Sequence, residues 1–367
     1  MRAVCAPNAF KGALGAGEAA EAMASGVRDA GGEAVCVPVA DGGDGTLDVL
    51  LAASPGAHVS VVRVRGPLGA PVDARLGWMG DGSAVVEMAE AAGLRLLARS
   101  QLDPLRASTY GAGELIRAAL DGGARRIVVG VGGSATTDGG AGLAVALGAR
   151  LFDASGAELP AGGGALASLA RVDLGGLDPR LASCRIEVAV DVRSPLLGPR
   201  GAAAVFGPQK GATPEQVALL ERGLERWVAL MAGDPLIAER PGMGAAGGTA
   251  FGLAAVCGAR LVPGAALVCD LVGLTAALAG ADLCLTGEGR LDASTAEGKA
   301  PAEVARRAAA AGVPCVALAG SVEPPVDPLY ADAVTLGPGL TLVESCARTA
   351  ELLRTRAAEV VTRFPAL

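Results

Sequence analysis

The chain has 367 residues, 51% hydrophobic and 19% charged, a length that suits a globular protein of about two domains with a sizeable core. Basic residues number 31 against 38 acids, a net charge of −7 without basic runs, and aromatics make up 2%. Neither a phosphate-backbone footprint nor a base-stacking platform is therefore present, and nucleic acid is not an expected partner. The most apolar window, Leu261 to Leu285, is broken by Asp270 and Asp282, short of the roughly 18 uninterrupted apolar residues of a membrane span. The first residues carry no long apolar signal core, so a cytoplasmic protein without a membrane partner is expected.

Arg2 to Ala6 reads as a strand, and Ala16 to Ala30 as a helix opened at Gly15, with Glu18 in its first turn, and closed by Gly31 and Gly32. Val35 to Val39 is the next strand. Val59 to Val64, Pro71 to Met79 and Ala84 to Met88 alternate apolar and polar residues between Gly and Pro turns, the pattern of an antiparallel meander. Leu115 to Leu120 ends a helix stopped by Gly122 and Gly123, with the strand Arg126 to Val131 behind it; Ile186 to Val190 reads as another strand. The best-marked helix starts at Thr213, with Pro214 in its first position and Gln216 completing a capping box. Val217, Leu220, Leu224, Trp227 and Met231 share one face of it, a core stripe. Asp282 to Leu285, Pro301 to Ala311 and Cys315 to Ala319 add a strand, a helix and a strand. The alternation argues for an α/β protein with parallel strands, and the meander for a second, mixed domain.

Eight scattered cysteines without a CxxC pair read as free, buried thiols, and the one histidine, His58, lies in an apparent edge strand. A histidine zinc site or a Ser-His-Asp triad is accordingly not expected. Lysine occurs at Lys11, Lys210 and Lys299 alone, and each touches a glycine. A lysine beside a permissive backbone is what a phosphate site needs as a mobile point charge.

Five glycine-rich segments carry the candidate chemistry, several of them just past a strand, where ligands bind in open α/β sheets. Ala6 to Leu14 places Lys11 in a strand-to-helix loop. Ala40 to Thr46 sets Asp41 and Asp44 around Gly42 and Gly43, carboxylates that suit Mg²⁺. Gly132 to Gly140 offers the amides of an anion-binding concavity at Gly132 and Gly133, with Ser134, Thr136 and Thr137 as further donors. Asp191 to Ala212 puts Asp191 at a strand end, as an acceptor for a substrate hydroxyl proton, and Lys210 in a tight turn. Thr286 to Lys299 crowds Gly287, Glu288, Arg290, Asp292 and Lys299 together. No GxxxxGK[ST] occurs, since Ala293 and Ala300 stand where its first glycine and its hydroxyl belong. Gly130, Gly132 and Ala135 fit GxGxxA, with Asp153 about twenty residues on, which leaves an NAD(P)-dependent oxidoreductase as an alternative, although Gly139 and Gly140 interrupt the required helix.

In this order, APNAFKGAL, PVADGGDGT, TYGAGEL, GGSATTDGGAG, FGPQKGATPE, GMGAAGG, TGEGRLD and GKAP resemble the type I bacterial glycerate kinase family over nearly the whole chain. The resemblance implies a kinase that moves the γ-phosphoryl group of ATP onto D-glycerate with Mg²⁺, usually giving 2-phosphoglycerate. It implies two domains flanking an active-site cleft that closes on substrate. One is a Rossmann- or flavodoxin-like three-layer αβα domain of residues 1–55 and 270–367, the other an inserted mixed α/β domain of residues 56–269. Lys11, Asp191 and Arg290 are then the catalytic candidates, and Gly132, Gly133, Ser134, Lys210, Gly287 and Lys299 the nucleotide-phosphate candidates. Asn8, Asp41, Gly42 and Gly43 would bind substrate, and Asp191, Glu288 and Asp292 the metal. Relatives carry Asp-Ser where this chain has Asn8 and Ala9, Asn where it has Thr137 and Ser194, and often Gly and Gln where it has Ala293 and Ser294. A non-catalytic nucleotide or metabolite sensor descended from such a kinase is a further alternative. Both a monomer and a homodimer are compatible with the sequence.

Overall fold

The structure, a computed structural model, describes residues 1–364 apart from 232, 234, 293, 294, 296 and 297. The departures at Ala293 and Ser294 thus lie outside the described residues. In chain order the elements are β1 (Arg2–Cys5), α1 (Ala16–Asp29), β2 (Glu33–Cys36), α2 (Thr46–Ala52), β3 (His58–Arg65), β4 (Pro71–Trp78), β5 (Ala84–Glu87), α3 (Ala89–Ala92), α4 (Tyr110–Asp121), β6 (Arg126–Gly130), α5 (Ala141–Ala146), β7 (Arg150–Phe152) and β8 (Arg171–Asp173). There follow β9 (Arg185–Val190), α6 (Ala202–Phe206), α7 (Pro214–Met231), α8 (Ala245–Cys257), β10 (Arg260–Pro263), α9 (Gly264–Leu271), α10 (Leu274–Leu278), β11 (Leu283–Leu291), α11 (Ala300–Ala310), β12 (Cys315–Val322), β13 (Asp332–Thr335), α12 (Leu342–Ala347) and α13 (Thr349–Arg363). They divide between two compact units, the first of Met1–Asp41, Asp48–Ser54 and Pro263–Leu367, the second of Gly42–Leu47 and Pro55–Val262.

In the first unit a five-stranded parallel sheet runs β13-β12-β11-β1-β2. Alternation sends Ala3, Cys5, Leu283, Leu285, Val316 and Leu318 to one face, against Met23 and Val27 of α1 and Leu353 and Val360 of α13. Val4, Cys284, Cys315 and Ala317 point to the other, against Leu274 and Leu278 of α10 and Val304 and Ala308 of α11. Helices cover both faces, which is why these strands read as apolar runs rather than alternating ones. From β1 the chain crosses to β2 on one side, and from β11 it crosses to β12 and β13 on the other. Strand order therefore reverses between β1 and β11, the place where the carboxyl ends of a parallel sheet open a ligand crevice.

The sequence pattern ends one strand at Leu285, but β11 continues to Leu291 because β12 pairs with it from Cys284↔Cys315 to Leu291↔Val322. A Cβ at Gly287 would lie 1.8 Å from the Leu318 carbonyl oxygen, so this glycine lets the neighbouring strand approach.

The second unit is built on a six-stranded mixed sheet, β10-β9-β6-β5-β4-β3, with a separate β7-β8 ribbon. β3, β4 and β5 pair antiparallel, as their alternation suggests, and β5, β6 and β9 pair parallel. The helix beginning after Thr213 forms as expected: Thr213 N donates to Gln216 Oε1 at 3.0 Å and Gln216 N to Thr213 Oγ1 at 3.3 Å. Leu220, Leu224 and Trp227 are fully buried, and Trp227 Nε1 donates to the Gly139 carbonyl at 2.9 Å. All eight cysteines are free; Cys5, Cys257, Cys269, Cys284 and Cys315 are buried, whereas Cys36, in the edge strand β2, is exposed, contrary to the expectation of burial. Among the described residues no helix is long and apolar enough to cross a membrane.

Trp227→Ala removes both the largest buried side chain of this core and a hydrogen bond to the Gly139 turn. Its unfolding free energy, read from a denaturant titration, is expected to fall by about 3–5 kcal/mol.

Candidate active site

Two groups of the sequence-predicted residues assemble at the carboxyl ends of parallel strands, one in each unit. In the first unit the backbone pairing of β1 with β11 continues past the strand end: Ala6 N donates to Leu285 O at 2.7 Å and Asn8 N to Gly287 O at 2.8 Å. This lays the Asn8–Lys11 segment along the second half of β11. Asn8 is buried; its Oδ1 accepts from Ala9 N at 2.8 Å, and its Nδ2 donates to Asp41 Oδ2 at 3.4 Å. Lys11 is exposed. Glu288, in β11, is 8% exposed and accepts from Thr295 Oγ1 at 2.8 Å. Burial pushes its carboxyl above the usual range and the charge of Asp41 adds to that, while Thr295, Lys299 and Lys11 oppose it. Lys299 is the N-cap residue of α11.

The charges of Lys11, Lys299 and Asp41 thus all bear on Glu288. Glu288 and Asp41 are hard oxygen donors, and Mg²⁺ uses one or two carboxylates while keeping waters and substrate phosphates, so the donor set fits that ion. Asp292 lies 3.3 Å from the Arg290 guanidinium, and Asp191 belongs to the second unit. Among the described residues no group of three or more His, Cys, Asp or Glu is placed to hold a metal ion. Arg290 pairs with Glu323 at 2.7 Å on the exposed side of β11.

In the second unit the Gly42–Leu47 segment and the GGSATTDGG loop pack on each other. Gly132 N donates to Gly42 O at 3.2 Å, and a Cβ at Gly132 would fall 2.4 Å from the Gly43 Cα. Ala189 in β9 lies against Gly42, whose own Cβ would meet the Ala189 oxygen at 2.7 Å, and Asp191 follows at the end of that strand. Glu87, at the end of β5, anchors the first loop by accepting from Leu47 N at 2.7 Å. Gly42 and Gly132, read as substrate- and phosphate-contacting positions, are therefore also required by backbone crossings. Of the loop amides, those of Gly132, Ala135, Gly139 and Gly140 already donate to protein oxygens. What the loop does hold is a set of hydroxyls: Ser134 is 6% exposed, and Oγ1 of Thr136 and of Thr137 are buried without a hydrogen-bond partner.

Two residues here were not assigned from the sequence. Asp138, fully buried, accepts from Thr109 N at 2.8 Å, Thr109 Oγ1 at 2.9 Å, Gly140 N at 3.2 Å and Gly142 N at 3.2 Å. Thr109 Oγ1 in turn accepts from Leu143 N at 2.9 Å, so one carboxylate and one hydroxyl hold the starts of both α4 and α5. Burial pushes the Asp138 carboxyl up against the pull of these donors. The signal for it was an acid embedded in a glycine-rich loop. Lys210 differs from the mobile surface charge that its glycine neighbour suggested: it is 2% exposed, and its Nζ donates to protein oxygens of the loop.

The dinucleotide alternative fails on geometry. After Gly130 the chain turns without a helix until Ala141, so no helix amino end stands at Gly132 to Ala135 to receive a pyrophosphate. Asp153 lies in an exposed turn, accepting from Ser155 N and Ala157 N, after a strand that pairs with β8 and not with β6.

The fold and site define an α/β protein that gathers lysines, carboxylates and hydroxyl-lined loops at the carboxyl ends of parallel strands, equipment for handling small oxyanions. The glycerate kinase family matches residues 3–365, and the chain belongs to that family. It is 46% identical over 335 residues to a glycerate kinase of Bacillus subtilis, covering 90% of this chain and 87% of the relative. To the glycerate 2-kinase of Escherichia coli it is 44% identical over 327 residues, covering 88% and 86%. A crystal structure of a putative glycerate kinase 2 from Salmonella typhimurium superposes with a TM-score of 0.87 at 44% identity, covering 99% of this chain and 98% of that one.

Because burial opposes ionisation of Glu288, its contribution to stability falls as pH rises from the ordinary glutamate range toward its raised value. Glu288→Gln keeps an oxygen for Thr295 and is expected to melt above wild type near pH ~8, the gap closing as pH falls toward ~3, where the wild-type carboxyl is protonated in both states. Calorimetric melts across that range check it.

Proposed function

We propose that the protein transfers the γ-phosphoryl group of ATP to the 2-hydroxyl of D-glycerate, giving 2-phosphoglycerate, with Mg²⁺ assisting. The observation that carries this reading is the cluster at the β1–β11 exit, where Lys11 and Lys299 stand with Asp41 and Glu288 at the strand-order reversal. Phosphoryl transfer is mostly positioning and charge neutralisation, so a site of ammonium groups, carboxylates and hydroxyls is adequate without histidine or cysteine chemistry. The name of the Escherichia coli relative, a glycerate 2-kinase, supports the position of transfer.

In this reading Glu288 and Asp41 hold Mg²⁺, which supplies charge neutralisation at the phosphate oxygens when bound. Lys11 and Lys299 pair with anionic oxygens of the phosphates or the glycerate carboxylate, and the single charge of Asp41 is steadied by the amide of Asn8. In the second unit the Ser134 hydroxyl donates to an anionic oxygen, and Asp191, at the end of β9, accepts the proton of the reacting hydroxyl.

The test is a coupled assay with ATP, Mg²⁺ and D-glycerate in which enolase alone stands downstream, so that 2-phosphoglycerate is the product detected. Turnover is expected, and Lys11→Ala should lower kcat by about 10²–10³, the weight of one charged group aimed at the transferring phosphoryl. ADP formation without an enolase signal would reject the 2-hydroxyl; no ADP at all would reject the kinase reading.

A further inference from the structure

Gly132–Gly140 is braced from inside by a side chain that reaches it from a distant part of the sequence. Lys210 ends the tight turn Pro208–Lys210, and its side chain runs inward. There Nζ donates to Ser134 Oγ at 2.9 Å and to the Thr136 carbonyl at 2.5 Å. The charged group that bears on it is Asp138 of the same loop, itself held by Thr109, Gly140 and Gly142.

A hydroxyl has one proton to donate and two lone pairs, whereas an ammonium has no lone pair. Facing an ammonium, Ser134 Oγ must accept, and its proton is left for another partner. Trading that ammonium for a neutral amine would supply a lone pair, and the Ser134 proton could then turn inward. We propose that Lys210 is a positioning residue: by donating to Ser134 Oγ it fixes that hydroxyl as a donor to an anionic substrate oxygen, a phosphate of ATP or the carboxylate of glycerate. Lys210 touches neither substrate and acts through Ser134. The inference rests on the kinase reading for its choice of ligands. Burial pushes the Lys210 ammonium down to about 7, against the pull of Asp138, so the donor setting is lost as pH rises through the neutral range.

With three lysines in the chain, a sample labelled with carbon-13 at lysine Cε gives three side-chain signals, and Lys210→Met identifies that of Lys210. Its titration is followed while the Kd of MgATP and that of D-glycerate are measured separately by calorimetry from pH ~6 to ~9, for wild type, Lys210→Met and Ser134→Ala. Binding of one substrate at a time needs no turnover, so a failure of the kinase reading appears in the enzyme assay without disturbing this experiment. The expected result is that one ligand weakens in step with the Lys210 titration in wild type. Ser134→Ala should bind that ligand about tenfold more weakly, the weight of one hydrogen bond to an anion, with a flat pH profile. Lys210→Met, if folded, should match it, and whichever ligand responds names the oxygen that Ser134 serves. Two results would overturn the proposal: a Lys210 titration that neither affinity follows, or Ser134→Ala binding both ligands as wild type does. Should Lys210→Met fail to fold, the wild-type and Ser134→Ala profiles decide the matter by themselves.

Discussion

A carboxylate shut away from water survives only if protein donors replace the solvent, and Asp138 shows what that requirement does to a chain. Four donors converge on it, from Thr109, Gly140 and Gly142, and they fix the starts of two helices and the course of a glycine-rich loop together. With Lys210 on the same loop, the second unit holds a buried pair of opposite charge without direct contact, each group pushed by burial toward its neutral form. Such an arrangement is costly to keep in a purely structural role. It becomes intelligible when the loop must present fixed hydroxyls instead of adapting to whatever approaches.

The first unit meets a related difficulty differently. Burial and the charge of Asp41 raise the ionisation cost of Glu288, and the neighbouring amide of Asn8 donates to Asp41. A carboxylate at that position, as the family resemblance leads one to expect, would add a third negative charge to the same corner. Asn8 therefore reads as an adjustment of charge at a crowded acidic site that leaves the polar contact in place.

Much of the fold was legible because it depends on local pattern. The capping box at Thr213, the apolar stripe to Trp227 and the alternation of β3, β4 and β5 are written in consecutive residues. The full length of β11 was not, because Gly287 and Gly289 look like turn residues until β12 is laid beside them, and pairing over distance overrode propensity. The site was legible in its residues and not in their roles. Three rare lysines beside glycines drew notice for a common reason, yet Lys11 is exposed, Lys299 caps a helix and Lys210 is interior. Glycine runs suggested ligand amides, and the structure shows that Gly42, Gly132 and Gly287 also let backbones cross at distances that no Cβ would permit. Asp138 escaped assignment since nothing local distinguishes a buried acid from a turn acid.

The pairing of Ala3 with Leu283 has a further implication for how the protein comes into being. Nearly all of the second unit is one continuous stretch, Pro55–Val262, and its strands can close on one another while the ribosome is still at work. The first unit waits. Its strand β1 leaves the exit tunnel well before β11 and finds the partner on that side only after some 280 residues have followed, so the apolar surface of β1 and α1 stays uncovered through most of synthesis. The newborn chain is in that interval a finished domain trailing an unfinished one, and the latter is the part that a chaperone would be expected to hold.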